Sequence, residues 1–572
     1  MLEAARATTF VPGSNLRSPS AGGAWLFLLP RLSFTRIVCV GLVQGSTLDA
    51  LNRVGREVIV ICPGRSSLRR ARAVARRRRL TAVRAIVWGD EAKIPQGSAD
   101  LIVISSARQT RRLAEDEAWP EVARLLRADG VVYLEQRGRL SRVEGAVGGG
   151  GWLPNAGQQR FAIAPGFGEV RAAVASGDAV TEEDLRRRGL WATAAFVGIG
   201  GRVREVPTGP LGRRSGPRWA VLSGLGVTGW LGRAPLYLRE LAREAGINLD
   251  SYRWGMAAPG LYLSNKVLFL FFDRTTGEPA YVVKATRDPT MNGRLLNEWR
   301  ALIQLRDRGI ASSDAVPHPA FVGTPGGLAV LGATGISGRR FVDVDPGEVA
   351  SSQARAAVDW LTELGASTAE AVPRGPGEAA GHLADLFARF SEIYSLAPAH
   401  DEALRATIEA MARSTAPFPA VFQHGDPGAW NLLVMPSGRV AFLDWESAEP
   451  SGMPLWDVFH MMRSFATLAS RTAGKKDTLA AFSEHFLADG PSNAFLVDAT
   501  ARYCERVGVA AEFVEPLFYG CWMHRALKES TRIPPERLDG GHYLNLLRRC
   551  LDADGSPPLR RLFLLDGSRA RR

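Results

Sequence analysis

The sequence predicts a multidomain α/β protein. A parallel sheet wound with helices comes first, followed by a bilobal α+β half built from a hairpin lobe and a helical lobe. Three observations predict this. At 572 residues the chain is longer than one hydrophobic core organises, so two to four domains are expected. Short, wholly apolar runs alternate with helix-length polar segments between Ile37 and Leu134, the pattern of strands buried on both faces of a parallel sheet. Beyond Phe341 the apolar spacing turns mainly helical, broken by the strand–loop–strand stretch Val421 to Trp445.

Composition excludes several classes. An apolar share of 46% and a charged share of 23% are those of folded globular chains and argue against disorder. The five cysteines (Cys39, Cys62, Cys504, Cys521 and Cys550) show no paired spacing, so a disulfide or zinc framework is not expected and a reducing, cytoplasmic setting is. The apolar run Ala24 to Pro30 is too short to span a bilayer, and neither a signal peptide nor a transmembrane segment is expected. The net charge of +13 favours anionic partners, but much of it is local: seven arginines lie between Arg69 and Arg79. They read as a helix with a solvated basic face. No aromatic set is interleaved for base stacking, so nucleic acid is not the expected partner. Nothing in the pattern fixes an oligomeric state.

The elements follow in order. Residues 1–30 carry Gly, Pro and Ser without periodicity and are expected to form a tail. A first domain is expected over residues 31–205, with strands at Ile37 to Val40, Val58 to Ile61, Ala85 to Val87, Leu101 to Ile104 and Val131 to Leu134. Its first strand runs into a turn containing Gly41 and Gly45, where such sheets seat nucleotide-like ligands. Residues 206–220, rich in Gly, Pro and Arg, are the expected linker. A hairpin lobe is expected over residues 221–335. Its strands, Lys266 to Phe272 and Ala280 to Lys284, are joined by a turn at Asp273 to Gly277 and followed by an amphipathic helix from Leu295 to Arg306. Leu328 to Leu331 is a further strand, and Gly332 to Gly338 a flexible crossing. Residues 336–572 form the helical lobe, with the last helix expected at Gly541 to Cys550.

Chemistry concentrates at Val421 to Trp445. His424-Gly425-Asp426 is followed five positions later by Asn431, and Asp444 stands thirteen positions further on. Magnesium takes hard oxygen ligands and leaves positions for substrate phosphates, and kinase phosphoryl transfer asks for one Asp by the acceptor with an Asn and an Asp on metal. Upstream, Lys284 closes a strand and Glu298 follows on a helix, the order in which an ion pair holds an ammonium against nucleotide phosphates. Trp254 to Gly260 is the one candidate for a phosphate-covering loop, through Gly255 and Gly260; there is no Walker A sequence. No HExxH or GxSxG occurs. The fourteen tryptophans are dispersed and read as core and interface residues rather than a carbohydrate platform.

Two resemblances follow from these motifs. VWGDEAKIPQGSADLIVIS, with Asp90 and Asp100, and LLRADGVVYLE make residues about 36–205 resemble the Rossmann-like class I S-adenosylmethionine (SAM)-dependent methyltransferase domain. That family's second strand usually ends in an acidic residue for the ribose hydroxyls, where this chain has Cys62-Pro63. The resemblance therefore implies a degenerate SAM site at Gly41, Gly45 and Asp90. HGDxxxxN at His424 to Asn431, Asp444-Trp445-Glu446, and GxPxxD at Gly452 to Asp457 make residues about 250–530 resemble the aminoglycoside phosphotransferase and choline kinase superfamily, which has the protein-kinase-like fold. This implies ATP and Mg2+ as cofactors and a hydroxyl of a small molecule (aminoglycoside, sugar or amino alcohol) as acceptor. It assigns Asp426 to the acceptor, Asn431 and Asp444 to metal, Lys284 to phosphates, Glu298 to Lys284, and His424 and Asp457 to support of the loop. The alternatives are a bifunctional or methyltransferase enzyme with the second half as a binding module, a pseudokinase scaffold, and a nucleic-acid-binding scaffold using the basic helix.

Overall fold

The computed structural model describes residues 26–27, 29–43, 45–104, 124–136, 158–164, 192–197, 226–227, 234–257, 266–310, 314–344, 348, 350–370, 375–475, 477–531 and 533–565. The expected linker at 206–220, the tail up to residue 25 and Gly260 lie outside them. The described residues divide into two units: one takes Arg17–Leu296 with Pro319–Gly335, the other Asn297–His318 with Ile336–Arg572.

The first of these units is organised on a single sheet. Its strands are β1 (Phe34–Val40), β2 (Gly55–Cys62), β3 (Val83–Val87), β4 (Ala99–Ile104), β5 (Leu126–Gln136), β6 (Gln158–Ala164), β7 (Ala192–Val197), β8 (Gly226–Val227), β9 (Arg253–Ala257), β10 (Val267–Phe272), β11 (Pro279–Ala285), β12 (Pro319–Gly323) and β13 (Val330–Thr334). They run in the order β12-β13-β11-β10-β9-β8-β7-β6-β5-β4-β1-β2-β3. The pairs among β1 to β5 are parallel, as their unbroken apolar runs predict. Ile37, Val58 and Leu101 join one core cluster while Val38, Ile59 and Ile102 join another, so both faces of this part are buried. From β5 to β12 each neighbouring pair is antiparallel.

Differences from expectation have local causes. Gly332 continues β13 instead of opening a hinge: it pairs with Val283, and a Cβ there would meet the Phe321 ring at 2.5 Å, so glycine lets two strands and a phenyl ring pack closely. Gly255 stands inside β9 opposite Leu270 rather than in a covering loop, because β9 extends the hairpin β10–β11 by a third strand. The arginine-rich stretch is a helix, Arg65–Arg77, whose Ala71 is buried while Arg69, Arg70, Arg72, Arg76 and Arg77 are exposed. At the glycine turn, Gly41 takes a left-handed φ of 85°, and a Cβ on Gly45 would meet the Arg78 guanidinium at 2.8 Å. Asp90 is paired with Lys93 at 2.7 Å. Asp100, 2% exposed, accepts the backbone N–H groups of Thr35 and Arg36 and pairs with Arg127, a structural brace between β1 and β4.

In the other unit, helices surround three short strand pairs. β14 (Arg339–Arg340) pairs with β16 (Leu432–Val434), β16 with β17 (Val440–Phe442), and β15 (Val421–Gln423) with β18 (Glu449–Gly452). The long helices are Ser352–Thr368, Pro376–Ser391, Pro398–Arg413, Trp456–Thr472, Pro491–Val507, Val514–Ser530 and His542–Asp552, and a final helix, Pro557–Leu564, lies beyond the last one expected. Fully buried Trp445, Trp522, Phe418 and Phe422 anchor this core, consistent with the large transfer gain of aromatic burial. Among the described residues, no helix is long and apolar enough to cross a membrane.

Candidate active site

The loop between β15 and β16 carries the motif, and its backbone is fixed from beneath. Asp457, in the first turn of helix Trp456–Thr472, accepts the backbone N–H of His424 at 2.6 Å and of Gly425 at 2.9 Å, one on each carboxylate oxygen. Desolvation pushes its pKa up to about 6, with those two N–H groups and nearby Lys528 and Arg525 acting in the other direction. Gly425 must be glycine: φ is +76°, and a Cβ would lie 2.0 Å from the Ser447 carbonyl oxygen.

His424 is fully buried against the Trp445 ring, 4.3 Å between centroids. Its Nδ1 accepts the backbone N–H of Asp426 at 3.2 Å, which leaves Nε2 to donate to the Leu443 carbonyl at 3.0 Å. One neutral imidazole thus ties the loop to the strand leading to Asp444. Asn431 adds a second tie: its Nδ2 donates to the Asp426 carbonyl at 2.9 Å, and its own carbonyl accepts from Leu443 at 2.9 Å. Committing the amide nitrogen fixes the direction of Oδ1. Asp444 adopts the left-handed conformation, φ 68° and ψ 62°, a placement that costs of order 1–3 kcal/mol for a non-glycine residue and marks functional turns. An amide oxygen and a carboxylate are hard oxygen donors of the kind magnesium accepts beside nucleotide phosphates, so these residues fit that ion.

Three residues that sequence reasoning missed surround Asp426. Arg525, on helix Val514–Ser530 and 99 residues away, places Nη2 at 2.7 Å from Asp426 Oδ1 and donates from Nη1 to the Gly425 carbonyl at 2.9 Å. His460 Nε2 lies 3.1 Å from the same oxygen and 2.7 Å from Arg525 Nη2, closing a triangle. Lys528 donates to the Gly425 carbonyl at 3.2 Å. Burial alone would raise the Asp426 pKa, but the contacts with His460 and Arg525 outweigh it and hold the carboxyl well below the usual range. Burial and the Arg525 charge depress His460 to about 3, so it is neutral. His460 was legible in principle, one helical turn after Asp457; Arg525 had no local signal.

Of the other predicted residues, Glu298 is buried at 2% on helix Asn292–Asp307, and Lys284 pairs opposite Leu268 and Leu331 on β11. They belong to different units. On the surface of the helical lobe, Asp359 pairs with Arg502 and Glu363 with Arg506 at 2.9 Å.

No curated protein matches the chain. A solved aminoglycoside phosphotransferase from Streptomyces rimosus, in complex with ADP and streptomycin, is 16% identical over 52% of this chain and 97% of that one, with a TM-score of 0.31. A SAM-dependent methyltransferase from Aquifex aeolicus is 17% identical over 22% of this chain and 72% of that one, TM-score 0.18. The YcgJ protein from Bacillus subtilis is 25% identical over 19% of this chain, TM-score 0.17, and this chain spans only 45% of its length. Residues 263–490, which hold Lys284, Glu298 and the whole loop from His424 to Asp457, match the model of the phosphotransferase enzyme family.

Proposed function

We propose that the protein transfers the γ-phosphoryl group of ATP to a hydroxyl of a small molecule. The observation that carries this reading is Asp426: a carboxylate kept ionised on a loop whose backbone is fixed at Gly425 by Asp457 and Arg525. Phosphoryl transfer leaves the protein little covalent work, so a rigidly oriented carboxylate and fixed charges are what it requires. With its pKa this low Asp426 is a weak base. Its work is to orient the acceptor hydroxyl and to receive its proton late.

Asn431 and Asp444 would hold Mg2+, which when bound neutralises phosphate charge. Lys284 is assigned to the nucleotide phosphates and Glu298 to its support from the sequence pattern. His424 and Asp457 keep the loop in shape. The family match of residues 263–490 supports a phosphotransferase, and the ADP bound by the Streptomyces rimosus enzyme supports an adenine nucleotide as donor.

Calorimetry with ATP and Mg2+, followed by transfer to a panel of sugars, amino alcohols and aminoglycosides, tests this. Binding lost in Asp444→Ala, together with transfer to at least one hydroxyl compound, is expected. Neither binding nor transfer by the wild-type protein would reject the reading.

A further inference from the structure

Among the described residues, Trp430 is the only aromatic side chain among the large apolar ones left exposed, at 48%. It stands in the loop itself, between Asp426 and Asn431. Single exposed apolar residues are ordinary, but this one is held in place. A Cβ on Gly428 would fall 2.3 Å from the indole, so the ring lies directly against the Gly428 backbone. His460, which contacts Asp426, meets the indole edge-on at 6.1 Å and 74°. The next backbone N–H, that of Ala429, is fixed by the Ser464 hydroxyl at 2.9 Å. An aromatic plane is therefore preorganised next to the acceptor carboxylate and left uncovered.

An indole face accepts either the C–H face of a ring or a cation. The charges nearby separate the two. Asp426 is already matched by Arg525, Lys528 sits on the Gly425 carbonyl, and the Arg463 guanidinium stacks over Tyr543 at 5.0 Å. The acids beside these cations are largely engaged: Asp457 by the His424 and Gly425 N–H groups, and Glu529 by the Tyr543 N–H. Glu449, on β18, interacts with Lys528. The Asp426 charge that would draw an ammonium to the indole is thus already compensated by Arg525.

We infer that Trp430 is the stacking platform for the ring of a cyclic, uncharged hydroxyl acceptor of the sugar type. The hydroxyl of that ring is presented to Asp426. The inference rests on the phosphotransferase reading and deepens it by naming the acceptor class.

The test is steady-state transfer from ATP–Mg2+ to aldohexoses, to acyclic polyols and to choline, by wild type, Trp430→Ala and Trp430→Phe. Cyclic sugars are expected to be the preferred acceptors. Trp430→Ala should raise the acceptor KM about 10-fold or more, while Trp430→Phe largely restores it and the KM for ATP is unchanged in both. Acyclic polyols or choline used as well as sugars, or an acceptor KM indifferent to Trp430→Ala, would overturn the inference and leave the phosphotransferase reading standing. No transfer by wild type to any acceptor would overturn both.

Discussion

At Asp426 two effects oppose each other: desolvation disfavours the ionised form, and the His460 and Arg525 contacts favour it, with the second pair winning. Replacement by Asn keeps the shape and removes the charge, so kcat should fall by about 10²–10⁴-fold while the KM for ATP changes little, measured by steady-state kinetics. Asp457 carries the opposite shift, up to about 6 through desolvation. Its folded pKa lies above the unfolded value, so ionisation is the costly direction: stability falls as pH rises from about 4 to about 6 and levels off above. Activity runs the other way, because both oxygens must accept N–H groups and a proton on either removes one acceptor. The acid limb of kcat against pH is therefore expected near 6, well above the titration of Asp426 itself, and Asp457→Asn should lower kcat and abolish that limb. A limb that persists in Asp457→Asn would reassign it.

The elements show how much of the site was legible. The apolar runs at β1, β2 and β4 announced a parallel sheet because burial on both faces leaves no alternation to misread. The HGDxxxxN spacing announced the loop, since its residues sit within one turn of chain, and the family match over 263–490 agrees with the resemblance drawn from it. Long-range partners were not legible. Arg525 reaches Asp426 across 99 residues and lies beyond the family-matched segment, and no periodicity marks it apart from other helix arginines. Trp430, 48% exposed, lies outside the core, which was not legible because a count of tryptophans cannot tell an indole packed inward from one held out over Gly428. The loop's reliance on Gly425 gives a prediction at this scale. Gly425→Ala must relieve a 2.0 Å approach to Ser447 and a positive φ, so thermal unfolding should show a loss of more than about 1 kcal/mol together with loss of transfer. An unchanged Tm would contradict the packing described.

Across the whole molecule, the two halves of the sequence differ in what they retain. In the part built on β1 to β5 the second strand ends in buried Cys62, the Asp90 carboxylate pairs with Lys93, and Asp100 is committed to β1 backbone and Arg127. Asp100 thus braces β1 against β4, and we propose that the SAM site is degenerate: titration calorimetry with SAM is expected to give no binding heat, and a saturable isotherm would restore a methyl-transfer role. The part that matches the phosphotransferase family model carries an ionised carboxylate, an oriented amide and a left-handed aspartate on one braced loop. The role proposed for this loop is to direct γ-phosphoryl transfer to a hydroxyl, and 31P NMR of ATP–Mg2+ with a pool of cyclic sugars tests it most directly. Wild-type protein should produce a phosphate monoester signal that Asp426→Asn forms at least about 100-fold more slowly; no monoester from wild type, or equal rates from both, would contradict it.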